Sequence, residues 1–226
     1  LNETALLVSF DNIIDETIND KVIHLHRKLH RINFNGFIES VPAYSSLAVF
    51  YDVWEIKNNS NIQTGTFDFV SAFITKLIHE ADEEVQLKTK EHIFIPVYYD
   101  GEDLEYVAKQ HKLSVGEVIS IHSSGTYRVY MIGFLPGFAY MGKVDERIFT
   151  ERLASPRTLV KAGAVGMAGF QTGVYPVDSP GGWRILGQTP LKIFDREKTI
   201  PCLLKAGDTI QFQSIEYETF KALNEY

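Results

Sequence analysis

The residues with the greatest chemical reach lie in the last hundred positions of the 226-residue chain, among glycines. Arg157 and Arg184 are guanidinium forks suited to a carboxylate or phosphate. Around them stand Gln171, Thr172 and Tyr175 in GFQTGVYP, and Ser179, Gly181 and Gly182 in SPGGWR. Glutamine, threonine and tyrosine side chains at a loop tip can orient a ligand by hydrogen bonds, and glycines allow it close to the backbone. The alternative for SPGGWR is a hairpin turn with Trp183 packed in the core. Ten of the chain's 16 glycines fall between Gly133 and Gly187. In GFLPG two of them bracket Phe134, and Phe138 follows directly; both aromatics either cap a core or form a contact surface, to which Phe170 would add. All seven histidines precede the glycine-rich stretch. His92 and His122 flank strand-like runs and can border a cleft, His122 being the best acid–base candidate. The histidines of the first helix, with His79 and His111, read as solvated. No zincin-type pair, phosphate loop or dinucleotide fingerprint is present, so no metal site is expected.

These side chains need elements to hold them. Leu6–Phe10 reads as a strand, and from Asp20 Val22, Leu25, Leu29 and Ile32 mark one helix face, with His24, Arg27, Lys28 and Arg31 opposite. Phe37–Val41 and Ser46–Asp52 read as strands and Lys57–Thr66 as a loop. A helix follows from Phe67, with Phe69, Phe73, Leu77 and Ile78 on one face and Thr66 or Asp68 as cap. It runs into the acidic Glu80–Glu84 cluster. Ile93–Tyr99 reads as a strand, restricted by Pro96. Asp103–His111 and Ser114–His122 read as short helices, the second opened by a Ser114 to Glu117 capping box. From Tyr127–Ile132 to Phe212, short apolar runs separated by glycine and proline turns predict a sandwich or barrel. The expected organisation is an α+β domain over 1–89, βαββαβ-like, then a mainly-β barrel domain over 90–226.

Composition narrows the partners. A formal charge of −7 without a basic block argues against nucleic acid and anionic membranes, and 45% hydrophobic residues suffice for a core. No apolar run approaches the roughly 20 residues of a membrane span. Cys202 is the only cysteine, so no internal disulfide can form; with no signal peptide evident, the expectation is a reducing cytoplasm.

The succession YRVYMIGFLPG (Tyr127–Gly137), Pro156–Arg157, QTGVYP (Gln171–Pro176), SPGGW (Ser179–Trp183), GQTPL (Gly187–Leu191) and Phe194–Asp195 resembles the family of the B-type subunit of bacterial 5-oxoprolinase. That family includes Kip-type inhibitors of sporulation histidine kinases and is also labelled allophanate hydrolase subunit 1. The match extends through Val41–Asp52, Ile95–Asp103 and Ala206–Phe212, which is nearly the whole chain. The resemblance implies an N-terminal α+β domain and a C-terminal cyclophilin-like barrel. It implies assembly with the homologous barrel protein, the C-type subunit of 5-oxoprolinase, and with its separate A-type subunit. Together they would convert 5-oxo-L-proline to L-glutamate with ATP hydrolysis. ATP, with or without Mg2+, would be held here or mainly by a partner chain.

Within that resemblance, His122, Arg157 and Arg184 are the expected catalytic residues. Gln171, Thr172, Tyr175, Ser179, Gly181 and Gly182 are the expected substrate-binding residues, and Phe134, Phe138 and Phe170 the expected partner surface. The competing function is a regulator that docks through those aromatics on a histidine kinase and blocks its autophosphorylation, with no catalytic residue required.

Overall fold

The structure is a computed structural model that describes residues 3–59, 64–80 and 92–224. It divides into two compact units, Leu1–Thr89 and Lys90–Tyr226. The division itself, near the boundary expected from the sequence, lies outside the described residues, as does most of the Glu80–Glu84 cluster.

In the first unit, strands β1 (Ala5–Ser9), β2 (Phe37–Pro42) and β3 (Ser46–Tyr51) form an antiparallel sheet in the order β1-β3-β2. Helix α1 (Glu16–Arg31) starts earlier than its apolar period suggests, because the Asp15 carboxylate accepts from the Ile18 N–H at 3.0 Å and fixes the N-terminus there. Val22, Leu25 and Leu29 are buried as the spacing predicts. Ile32 is not: it caps the helix and lies half in solvent. Lys28, expected on the solvated face, is buried and donates from Nζ to the carbonyls of Leu77 (2.8 Å) and Glu80 (3.2 Å). An ammonium can be held inside when backbone oxygens satisfy it.

Val53–Asn59 forms a helix, α2, whose last residues 57–59 fall in the expected loop Lys57–Thr66, of which 60–63 lie outside the described residues. Helix α3 (Thr66–His79) buries Val70, Ile74 and Leu77, with Phe69 and Phe73 partly covered and Ile78 exposed. Its apolar face is therefore turned by one position from the expected one, and its cap is Gly65 rather than Thr66 or Asp68.

The second unit begins with β4 (His92–Val97). The βαββαβ-like order expected of the first unit counts this strand, whereas the expected bounds leave it in 90–226, and there it joins a seven-stranded sheet, parallel to β12 (Thr209–Ser214). The first unit's described residues thus hold three strands and three helices, not a βαββαβ order. Helices α4 (Leu104–His111) and α5 (Val115–Ser124) follow, and Ser114 and Glu117 form the expected capping box on α5. Next come β5 (Thr126–Ile132), β6 (Ala139–Gly142), β7 (Arg157–Val160), β8 (Ala164–Ala168), β9 (Gln171–Val174), β10 (Ser179–Gly181) and β11 (Arg184–Gln188). After β12 comes the last described helix, α6 (Tyr217–Asn224).

The large sheet has the order β11-β8-β9-β6-β5-β12-β4, and β7 pairs β10 separately. Tyr98, just past β4, bridges Gln188 of β11 with two 2.9 Å backbone hydrogen bonds, so the two outer strands meet and the sheet nearly closes. The result is a barrel-like mixed sheet with helices, matching a cyclophilin-like fold. Ile95, Val129, Met141, Val165, Met167, Val174, Leu186 and Ile210 fill its interior, with Val107 and Val118 of the helices. A smaller cluster of Phe138, Val160, Tyr175 and Ile185, with Trp183 packed on it, lies beside the main one.

Candidate functional site

The two arginines meet on one carboxylate. Asp103, just before α4, is 5% exposed. Its Oδ2 accepts from Arg157 Nη2 (2.7 Å) and from the Ile185 N–H (2.7 Å), and its Oδ1 meets Arg184 Nη1 at 3.3 Å. Arg157 also donates to the Trp183 carbonyl (3.1 Å) and pairs through Nε with Glu102 at 2.7 Å. Arg184 donates from Nε to the Glu151 carbonyl (3.2 Å) and lies 4.0 Å above the Tyr106 ring. Strands β7 and β11 supply the arginines, and α4 supplies the acid that would otherwise cap it. Asp103 accepts no cap hydrogen bond from its own helix because the guanidinium groups occupy it. The sequence marks Asp103 only as a helix start and does not disclose its role, nor those of Glu102, Tyr106 and Glu151. An acid in the N-cap position was the one available signal.

His122 does not border a cleft. It is fully buried, stacked on Phe212 at 4.7 Å between centroids, and both ring nitrogens are bonded. Thr172 Oγ1 donates to the Gly166 carbonyl (3.0 Å), so it must accept from His122 Nε2–H (2.9 Å). Nδ1 is then the acceptor for the Tyr99 hydroxyl at 2.7 Å. The donors and acceptors therefore assign one neutral tautomer. Burial lowers its pKa to about 3, and burial likewise keeps Tyr99 protonated. The Tyr127 hydroxyl donates to the His122 carbonyl, closing the network. Two other histidines expected in solvent are also partnered: His26 with Ser40 Oγ (2.8 Å) and His111 with Thr150 Oγ1 (3.0 Å).

The expected polar loop tip is a strand. Gln171, Thr172 and Val174 belong to β9, between β6 and β8, and Tyr175 directly follows. Thr172 and Tyr175 are buried and only Gln171 is partly open. Tyr175 packs edge-on against Phe138, its hydroxyl bonded to the Trp183 backbone. Gly181 is needed because a Cβ there would strike the Tyr175 ring. Neither Gly181 nor Gly182 has a positive φ. Trp183 packs half-buried against Phe138 (5.2 Å), in line with the core alternative. Ser179 is buried, and its Oγ has no partner among the described residues.

Of the three aromatics, Phe134 is presented, 64% exposed at φ +70°, and Phe170 is exposed beneath the Lys143 ammonium at 4.7 Å. Phe138 is 1% exposed and belongs to the core, since its ring is enclosed by Tyr140, Tyr175 and Trp183. Among the described residues no helix is long and apolar enough to cross a membrane.

Fold and site together define a two-unit protein whose barrel-like mixed sheet carries a paired-arginine carboxylate cluster at its glycine-rich side. Residues 1–204 match the family model described as "Carboxyltransferase domain, subdomain C and D", and the chain belongs to that family, the B-type subunits of 5-oxoprolinase among its members. The B-type 5-oxoprolinase subunit of Bacillus subtilis (strain 168) is 41% identical over 229 residues, covering 100% of this chain and 95% of its own length. The protein of the same name from Escherichia coli O157:H7 is 33% identical, covering 94% of this chain and 93% of its own. The crystal structure of TTHA0988 superimposes with a TM-score of 0.80 at 33% identity, over 94% of this chain and 40% of that longer one.

Proposed function

We propose that the chain is the B-type subunit of an ATP-dependent 5-oxoprolinase. With a homologous barrel subunit and a third subunit, it opens the lactam of 5-oxo-L-proline, adding water across the amide bond to give L-glutamate while ATP is hydrolysed. The observation that carries this reading is the 41% identity to the B. subtilis protein, sustained over the whole chain. ATP coupling answers a chemical need, because opening the lactam at neutral pH is uphill, and phosphorylation of the amide oxygen would create a better leaving group. The cytoplasm supplies that ATP.

The cluster geometry supports a role for Arg157 and Arg184 in holding the carboxylate of 5-oxoproline or a phosphoryl group. Their guanidinium planes are fixed in advance by Asp103 and Tyr106, which lowers the ordering cost on binding. Gln171 is the partly open polar side chain of β9 and would orient the substrate. His122, with both nitrogens engaged, acts by positioning Thr172 and β9 and not by transferring a proton. The kinase-inhibitor reading is supported by the exposed Phe134 and Phe170, although its patch loses Phe138 to the core.

The test is reconstitution of the complete assembly and measurement of ATP-dependent glutamate formation. The expected result is activity of the assembly and none of the chain alone. Arg157→Ala should lower kcat/KM by about 10- to 100-fold, the worth of a charge-assisted hydrogen bond. A complete assembly without ATP-dependent turnover would overturn the proposal.

A further inference from the structure

The four charged side chains of the cluster are unequal in burial. The Asp103 side chain is 7% exposed and bonded to three donors, one of them a backbone N–H, so it is fixed. The Glu102 side chain is 63% exposed, and its one ion pair among the described residues is with Nε of Arg157, at 2.7 Å. Two guanidinium groups and two carboxylates sum to zero charge. If Glu102 swings into water, the remaining three groups carry +1, and the opening falls on the Nε–H of Arg157, whose Nη1 and Nη2 stay on Trp183 and Asp103.

We infer that Glu102 is an exchangeable counter-ion: a ligand oxyanion, carboxylate or phosphoryl, takes its place on Arg157 while Asp103 holds both arginines still. The physical reason is the contrast in what each carboxylate loses on leaving. An exposed ion pair is screened by water and costs two long side chains their freedom, so its net worth is small, less than about fivefold in an equilibrium constant. Asp103 would leave an uncompensated buried pair of cations and an unpaired Ile185 N–H. An incoming monoanion restores neutrality, and Glu102 regains side-chain entropy in solvent. Arg184 stays seated on Tyr106 and adds its field from the far side of Asp103. Glu102 therefore screens the site when it is empty and competes weakly when ligand is present. The ligand's physiological identity rests on the proposed function; the exchange chemistry does not.

The experiment titrates the full chain with 5-oxo-L-proline and, separately, inorganic phosphate at low ionic strength, following the Arg157 and Arg184 Nε–H resonances by NMR. The expected result is a saturable shift of the Arg157 Nε–H with one probe, and about two- to fivefold tighter binding in Glu102→Gln. A response to 5-oxo-L-proline places the substrate carboxylate there; a response to phosphate places the nucleotide's phosphoryl group. An Arg157 Nε–H that neither probe moves, or equal or weaker binding in Glu102→Gln, overturns the exchange. The readout requires no partner chain and no turnover. A silent titration with an active assembly overturns only the exchange, and a responding titration with an inactive complete assembly overturns only the enzyme assignment.

Discussion

Asp103 is a single side chain on which β7, β11 and α4 converge, and its loss should be felt well beyond one hydrogen bond. Asp103→Asn keeps the shape but removes the charge that two largely buried arginines face. The expected cost is about 3 kcal/mol, the usual consequence of breaking a buried pair from one side. It would appear as a lower urea midpoint with an unchanged m-value. None of this is legible in the sequence, because Arg157 and Arg184 lie 54 and 81 residues from their common acid. Long flexible cations announce that they bind an anion, not that the protein already supplies one. His122 misleads for a related reason: local context shows a histidine after an apolar run, whereas its partners Tyr99 and Thr172 come from 23 and 50 positions away. Its tautomer gives a direct check. Long-range 15N–1H spectra should show a protonated Nε2 and an unprotonated Nδ1 in the free chain at neutral pH.

At the level of elements, periodicity is informative and glycine is ambiguous. The apolar spacing locates α1, α3 and α4, and the Ser114–Glu117 pair locates the start of α5. Glycine serves two unrelated purposes, a left-handed backbone or the absence of a Cβ, and composition does not separate them. Gly137, Gly163 and Gly169 serve the first, with φ between +60° and +85°. Gly173 and Gly181 serve the second, inside or at the end of short strands that lie against aromatic rings. That is why GFQTGVYP resembles a loop tip and folds as a strand. Gly173→Ala tests the distinction: its Cβ would stand 2.8 Å from the Ala139 carbonyl and close to Trp183 and Phe138. Overpacking there should cost about 1–3 kcal/mol, read by chemical denaturation, although alanine has the better strand propensity.

The whole molecule carries a pH dependence through its buried imidazoles. His122 has a folded pKa of about 3 and His26 of about 4, both lowered first by burial, against 6.5 for the free side chain. The unfolded chain therefore takes up protons below pH 6.5 that the native chain refuses, so this contribution is complete above pH 6.5 and is lost as pH falls toward the folded values. His122 alone should remove about 1.4 kcal/mol of stability per pH unit across that window. Denaturation curves between about pH 7 and 4.5 should show it, and His122→Gln should flatten the slope by about one proton. A slope unchanged by the substitution would mean that the imidazole is protonated in the native state.

The pairing of Tyr98 with Gln188 also limits how another chain can attach. With its two outer strands joined there, the seven-stranded sheet offers a visiting strand little backbone to extend, which guards it against the edge-to-edge association that open sheets invite. Recognition along the seven-stranded sheet therefore runs through side chains and turns, with Phe134 held outward as one such feature of the second unit. The three-stranded sheet differs, since among the described residues β1 and β2 each pair with β3 alone and keep one side able to accept a strand. Strand addition by a partner chain would fall on residues 5–9 or 37–42 there, or on the short β7–β10 pair of the second unit.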